Sequence, residues 1–142
     1  MTKLTLDQAH KIIDAAFAKG NEIDCHPLTV AVLDAGGHLV AFMREDESGI
    51  LRPEIATGKA YGALGFGLGS REIGQKNPLF LAAVAAASGG RMVPVPGGVL
   101  VRQPSDGEII GAVGISGDNS GNDEACAIAE IESCNLNADP GN

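Results

Sequence analysis

The order of elements in this chain predicts an α+β fold, a five-stranded and mainly antiparallel sheet with helices packed on it. Three observations carry that reading. An amphipathic helix precedes a β-hairpin, two helical segments follow with no strand between them, and three strands then run before a last helix. A parallel doubly wound sheet would instead alternate strand and helix throughout.

The first helix spans Thr5 to Lys19. Leu6, Ala9, Ile12, Ile13, Ala16 and Phe17 form its apolar stripe, and Thr5 with Gln8 makes a capping-box pattern. Gly20 supplies a stop before the polar link from Asn21 to Pro27. Leu28 to Leu33 and His38 to Arg44 read as antiparallel partners joined by the hairpin signal Asp34-Ala35-Gly36-Gly37. After the acidic loop Glu45 to Leu51, Pro53 suits the first turn of a helix running from Glu54 to about Gly67. That helix holds Gly58, Gly62, Gly65 and Gly67. Interior glycine costs about 1 kcal/mol relative to alanine, so the repetition signals close packing or a bound group.

Ser70 to Asn77 holds a short turn, and Pro78 opens a helix, Leu79 to Ala87, ended by Gly89 and Gly90. Met92 to Val95 reads as an edge strand, because Pro94 and Pro96 cannot donate to a ladder on both sides. The stretch the chain is organised around follows. Val99 to Val101 is a short strand, Ser105-Asp106-Gly107 its turn, and Glu108 to Ile115 a returning strand whose apolar run suits burial on both faces. Ser116 to Asn122 is a permissive, cap-rich loop, with Asp123 and Glu124 in the first turn of a final helix reaching Cys134. Residues 1–134 form a single domain, and 135–142 a polar tail expected to fray.

Composition excludes several classes. A formal net charge of −8 opposes a phosphate backbone, and four Phe, one Tyr and no Trp make a poor base-stacking surface, so nucleic acid is not the partner. No apolar run approaches the roughly 20 residues of a membrane span, and no secretory signal is visible. Cys126 and Cys134 lie about 12 Å apart along a helix, too far to bridge, and Cys25 could pair with just one of them. Reduced thiols and a cytoplasmic location are expected.

No His pair has i, i+4 spacing and no Cys-x-x-Cys occurs, so no structural metal site is expected. His26 adjoins Cys25 in a loop, and His38 opens a strand, where an axial-ligand role would need a pocket beside it. Lys59 stands in a small, apolar helical stretch. It could hold a carboxylate or act as a base if burial depresses its pKa, or it could lay its stem on the core with the ammonium in water. Arg44 and Arg52 flank the acidic loop; Asp123 and Glu124 are acid–base candidates that could equally just cap a helix.

Four segments together resemble the GlcG/HbpS-like heme-binding family, which includes the C-terminal domain of PduO-type proteins. They are VAVLDAGGHLVAFMRED at 30–46, IATGKAYGA at 55–63, PGGVLV at 96–101 and GEIIGAVGISGDNSGNDEACA at 107–127. The resemblance implies a profilin-like fold, homo-oligomers from dimers to rings, and binding of heme or another small ligand. Carried over by motif, it points to Arg44, Lys59, Gly97, Gly98, Gly117, Asp123 and Glu124, with His26 and His38 as available donors. The expected function is a small-ligand binding protein. The alternative is an enzyme acting on a small organic acid by proton transfer or addition–elimination, with Lys59 and the glycine loop holding the carboxylate. A third possibility is an assembly subunit whose glycine-rich surfaces serve packing alone.

Overall fold

The computed structural model describes residues 3–142. Its elements run α1 (Leu6–Glu22), β1 (Thr29–Asp34), β2 (Leu39–Arg44), α2 (Arg52–Phe66), α3 (Ser70–Ile73), α4 (Pro78–Ala87), β3 (Gly98–Arg102), β4 (Ile109–Ser116), α5 (Ser120–Ser133) and β5 (Asn137–Asp139). The sheet has five strands in the order β2-β1-β4-β3-β5, every pair antiparallel. The α+β class and the five-stranded antiparallel sheet are therefore as the sequence predicts.

Strand alternation divides the core into two layers. Val30, Val32, Val99, Val101, Val113 and Ile115 point to the side covered by α1 and α5. Leu33, Leu100 and Ala112 point to the other side, under Ala60 and Ala63 of α2. On that second side the sheet is built from small residues so that α2 can approach. Gly98, Gly114 and Ala31 lie side by side across β3, β4 and β1, and a methyl on Gly114 would fall on the Ala56 carbonyl.

The capping box of α1 is formed: Thr5 Oγ1 accepts from the Gln8 amide at 3.1 Å, and Gln8 Oε1 from the Thr5 amide at 3.0 Å. Gly20 does not stop this helix, which continues to Glu22. The glycine is there because a side chain would collide with Leu28, leaving 2.7 Å to its Cδ1. By contrast Gly67, at φ +68°, does end α2 in the left-handed conformation.

Two strand assignments change. Met92 to Val95 is not a strand; the segment crosses α2, where Val93 donates to the Gly58 carbonyl at 3.1 Å and Met92 and Val93 fill the space above Gly62 and Gly58. The fifth strand comes instead from the tail expected to fray. Leu100, Val101 and Arg102 pair with Asp139, Ala138 and Asn137, and Arg102 Nε donates to Asp139 Oδ2 at 2.9 Å. The outer edge of β3 needs backbone partners, and a polar segment supplies them as well as an apolar one.

Gly114 and Gly65 should respond oppositely to a methyl group. Gly114→Ala is expected to destabilise by about 1–3 kcal/mol, since backbone stands in the way. Gly65 lies in α2, and nothing comes within 4 Å of the place its Cβ would occupy, so Gly65→Ala should stabilise by up to about 1 kcal/mol. Urea unfolding of the two variants measures both, and equal signs would refute the packing account.

Candidate functional site

Lys59 leaves the inner face of α2 and runs to the end of the sheet. Its side chain is 2% exposed; Nζ donates to the Ile115 carbonyl at 2.7 Å and to Asp123 Oδ2 at 3.2 Å. Asp123 is equally buried, and its other oxygen accepts from the Asp118 amide at 2.9 Å. Gly97 and Gly98 make room. Gly97, at φ +122°, brings its backbone against the Lys59 stem, where a Cβ would stand 2.8 Å from Nζ, and Gly98 lies on the Lys59 carbonyl. Burial pulls the Lys59 pKa down and pushes that of Asp123 up, while each partner's charge opposes the other's shift.

The surrounding candidates are similarly engaged. Glu124 is buried and takes a two-pronged contact from Arg71, Nη2 to Oε1 at 2.8 Å and Nε to Oε2 at 2.9 Å. Arg44 Nη1 donates to the Ser48 carbonyl at 3.2 Å, and Arg52 Nη1 to Ser116 Oγ at 3.0 Å. Gly117 presses on the Pro27 carbonyl. The structure thus gathers Lys59, Asp123, Gly97 and Gly98 into one cluster, closed to solvent. His26 lies outside it on the surface, 83% exposed, its Nε2 3.9 Å from Asp118 Oδ1.

His38 sits at the opposite end of β1, beyond the hairpin turn. Asp34 Oδ1 accepts from the Gly36 amide at 2.9 Å and the His38 amide at 3.0 Å, and lies 3.2 Å from His38 Nδ1. These contacts, led by the His38 amide, hold the Asp34 carboxyl below the usual aspartate range. With Nδ1 turned to the carboxylate, Nε2 is the ring nitrogen left without a partner among the described residues. The side chain is 82% exposed and borders a cavity of about 280 Å³ lined by Leu4, Val40, Ile109 and Ile110 and by the charged residues Lys3, Asp34 and Glu108. Sequence reasoning missed Asp34 as the group that orients His38. The Asp-x-x-x-His spacing across a two-glycine turn was the available signal.

A larger cleft of about 360 Å³ lies on the outward side of α2, lined by Pro53, Glu54, Thr57, Gly58, Tyr61 and the 89–91 turn. Among the described residues no group of three His, Cys, Asp or Glu side chains could hold a metal ion, and no helix is long and apolar enough to cross a membrane. All three cysteines are free; burial pushes the Cys126 thiol up to about 12.

Glu130 of α5 is a buried titratable group the sequence did not single out. It is wholly inaccessible, and neither carboxyl oxygen finds a hydrogen-bond partner among the described residues. Burial, reinforced by Cys134, raises its pKa well above the ordinary 4.5. The folded state therefore retains a proton that the unfolded chain releases, and stability declines as pH rises from 4.5 toward the folded value. Glu130→Gln should match the parent near pH 4 and gain stability over it as pH increases; a pH-independent difference in urea midpoints would count against a protonated Glu130. Lys59→Met should cost about 3–5 kcal/mol by leaving Asp123 buried alone, and Lys59→Met/Asp123→Asn should recover part of that loss. Strict additivity in this double-mutant cycle would show that the pair is not coupled.

Comparison with known proteins agrees with this architecture. Protein ORFY of Klebsiella pneumoniae superposes with a TM-score of 0.87 at 25% identity, covering 95% of this chain and 93% of that one. PduOC, solved as a heme complex, gives 0.86 at 24% identity over 95% and 97% of the two chains, a likeness of fold. A 15.0 kDa protein from the dhaT-dhaS intergenic region of Citrobacter freundii is 32% identical over 131 residues, 91% of this chain and 90% of its own length. Residues 4–132 match the family described as haem degrading protein HbpS-like, and the chain belongs to that family.

Proposed function

We propose that this protein binds a small ligand of the heme class without itself catalysing a reaction on it. The observation that carries the reading is His38, whose imidazole borders a partly apolar cavity and is held at Nδ1 by Asp34. The residues fit such a group. His38 would be the iron donor, with the Asp34 carboxylate behind it fixing its tautomer. Leu4, Val40, Ile109 and Ile110 would meet the macrocycle and Lys3 a carboxylate on its edge, against the opposing charge of Glu108 in the same lining. At about 280 Å³ the cavity admits one edge of a porphyrin and leaves the rest outside. Bound heme supplies iron redox and ligand-exchange chemistry; the chain supplies the donor, its orientation and an apolar wall. The family match and the heme complex of PduOC support the same class of ligand.

The enzyme reading has less support. Lys59, Asp123 and Glu124 are buried, and each is bonded to protein groups. A homo-oligomer is favoured by α4, ten residues with no charged side chain, of which Leu81 is the buried one while Leu79 is 81% exposed. The free thiols fit a cytoplasmic location.

Hemin titration of the purified protein tests the ligand. The parent and His26→Ala should give a saturable Soret shift, His38→Ala should lose it, and Asp34→Asn should weaken binding by about 10–100-fold. No saturable shift, or one that survives replacement of both histidines, would overturn the proposal. Light scattering tests the assembly: Leu79→Glu should lower the mass of the parent oligomer, and a monomeric parent would remove the basis for it.

A further inference from the structure

We propose that the cleft between α2 and the turn after α4 is a second binding site, one that takes a small zwitterion with a carboxylate at one end and an ammonium group at the other. The cleft encloses about 360 Å³, the low end of the range for small-molecule sites. Its cationic side is Arg91, which is held in place before any ligand arrives. Ser88 caps α4, Gly89 and Gly90 follow at φ +71° and +78°, and these left-handed residues turn the chain back toward α2. Arg91 Nε then donates to the Ser88 carbonyl at 2.7 Å, and the guanidinium lies over the Tyr61 ring, 4.6 Å from its centroid. The two terminal nitrogens make no hydrogen bond or ion pair with the described residues. They form a fork suited to a carboxylate, fixed by contacts that use Nε and the face of the guanidinium.

The rest of the lining offers the complementary chemistry. Glu54 and Thr57 belong to the first turns of α2 and line the same cleft, and neither side chain has a hydrogen-bond or ion-pair partner among the described residues. A carboxylate in the same small cleft as a fixed guanidinium attracts an ammonium group and repels a second anion. The net charge of −8 opposes polyanions further. Between these two polar ends the wall is Pro53, Gly58 and Tyr61, which suits a short carbon chain. The site differs from the Lys59 cluster, whose lysine side chain is 2% exposed and already paired with Asp123. Its lining shares no residue with that of the His38 cavity, and it does not depend on heme.

Heteronuclear NMR of the heme-free protein tests this, with glycine and 4-aminobutyrate as zwitterionic probes and propionate and propylamine as single-charge controls. At least one zwitterion should produce saturable shifts at Gly58, Tyr61 and Gly90, and bind about tenfold or more tightly than either control. Arg91→Gln should abolish saturation with a native spectrum elsewhere. Glu54→Gln should remove the preference of the zwitterion over propionate while leaving propionate binding in place. Absence of saturable shifts with both zwitterions, or unchanged binding in Arg91→Gln, would overturn the assignment. Equal affinity for propionate and the zwitterions would overturn the role of Glu54.

Discussion

A lysine inside a protein must be neutralised, and the way Lys59 is neutralised organises this fold. Its ammonium group sits in the interior, where an unpaired charge would cost many kcal/mol. The carboxylate that meets it belongs to α5, on the far side of the sheet from α2, and the carbonyl that meets it is that of Ile115, near the end of β4. One side chain therefore ties the two helical layers to each other and to the central strand. Its demands reach further along the chain. Gly97 and Gly98 are glycines because the lysine stem and backbone occupy the space a Cβ would take. Asp123 uses its second oxygen on the Asp118 amide, which fixes the loop entering α5. Buried pairs of this kind add little net stability compared with apolar packing, whereas removing one partner leaves an uncompensated buried charge.

The same arrangement decides where a ligand can be met. At the end of the sheet where Lys59, Asp123, Arg44 and Arg52 converge, each of these charges already has a protein partner. A carboxylate ligand would have to displace Asp123 from a nearly dry site, losing the amide contact as well. Free polar groups occur at the periphery instead. His38 is carried beyond the hairpin at the other end of β1, and Arg91 stands over the outer face of α2. Each is held by a contact that leaves its ligand-facing atoms unengaged. Orientation of this sort lowers the entropy lost on binding, which matters most for shallow clefts.

Much of this was legible in the sequence, and the failures have physical causes. Thr5 and Gln8 cap α1 as their spacing required, because capping is a local interaction between nearby residues. The hairpin at Asp34 and the buried run of β4 follow for the same reason, from turn chemistry and apolar continuity. The edge strand did not follow. Met92 to Val95 has β-forming residues but spends its backbone and side chains on α2, whereas Asn137 to Asp139 becomes a strand through backbone pairing that leaves no apolar signature. Lys59 was recognisable as the unusual cation, yet its partner is 64 positions away and no periodicity connects them. Glu130 was invisible because an isolated glutamate on an amphipathic helix reads as solvated until packing is known.

The glycines of α2 show why one sequence feature can carry two meanings. Gly58 and Gly62 are required by packing, since Val93 and Met92 stand within 2.7 Å of where a Cβ would be. Gly65 has no such neighbour, so packing inside this chain does not explain it. The first two glycines bring the 91–93 segment down onto the helix, and that close approach is what carries Arg91 over Tyr61. Meanwhile the opposite side of α2 is locked to the sheet through Ala56, Ala60 and Lys59. A helix held on both sides makes a rigid floor for the cleft it borders. The α2 residues that line that cleft, Thr57 and Tyr61, therefore owe their placement to a lysine buried beneath them and to the close packing at Gly58 and Gly62.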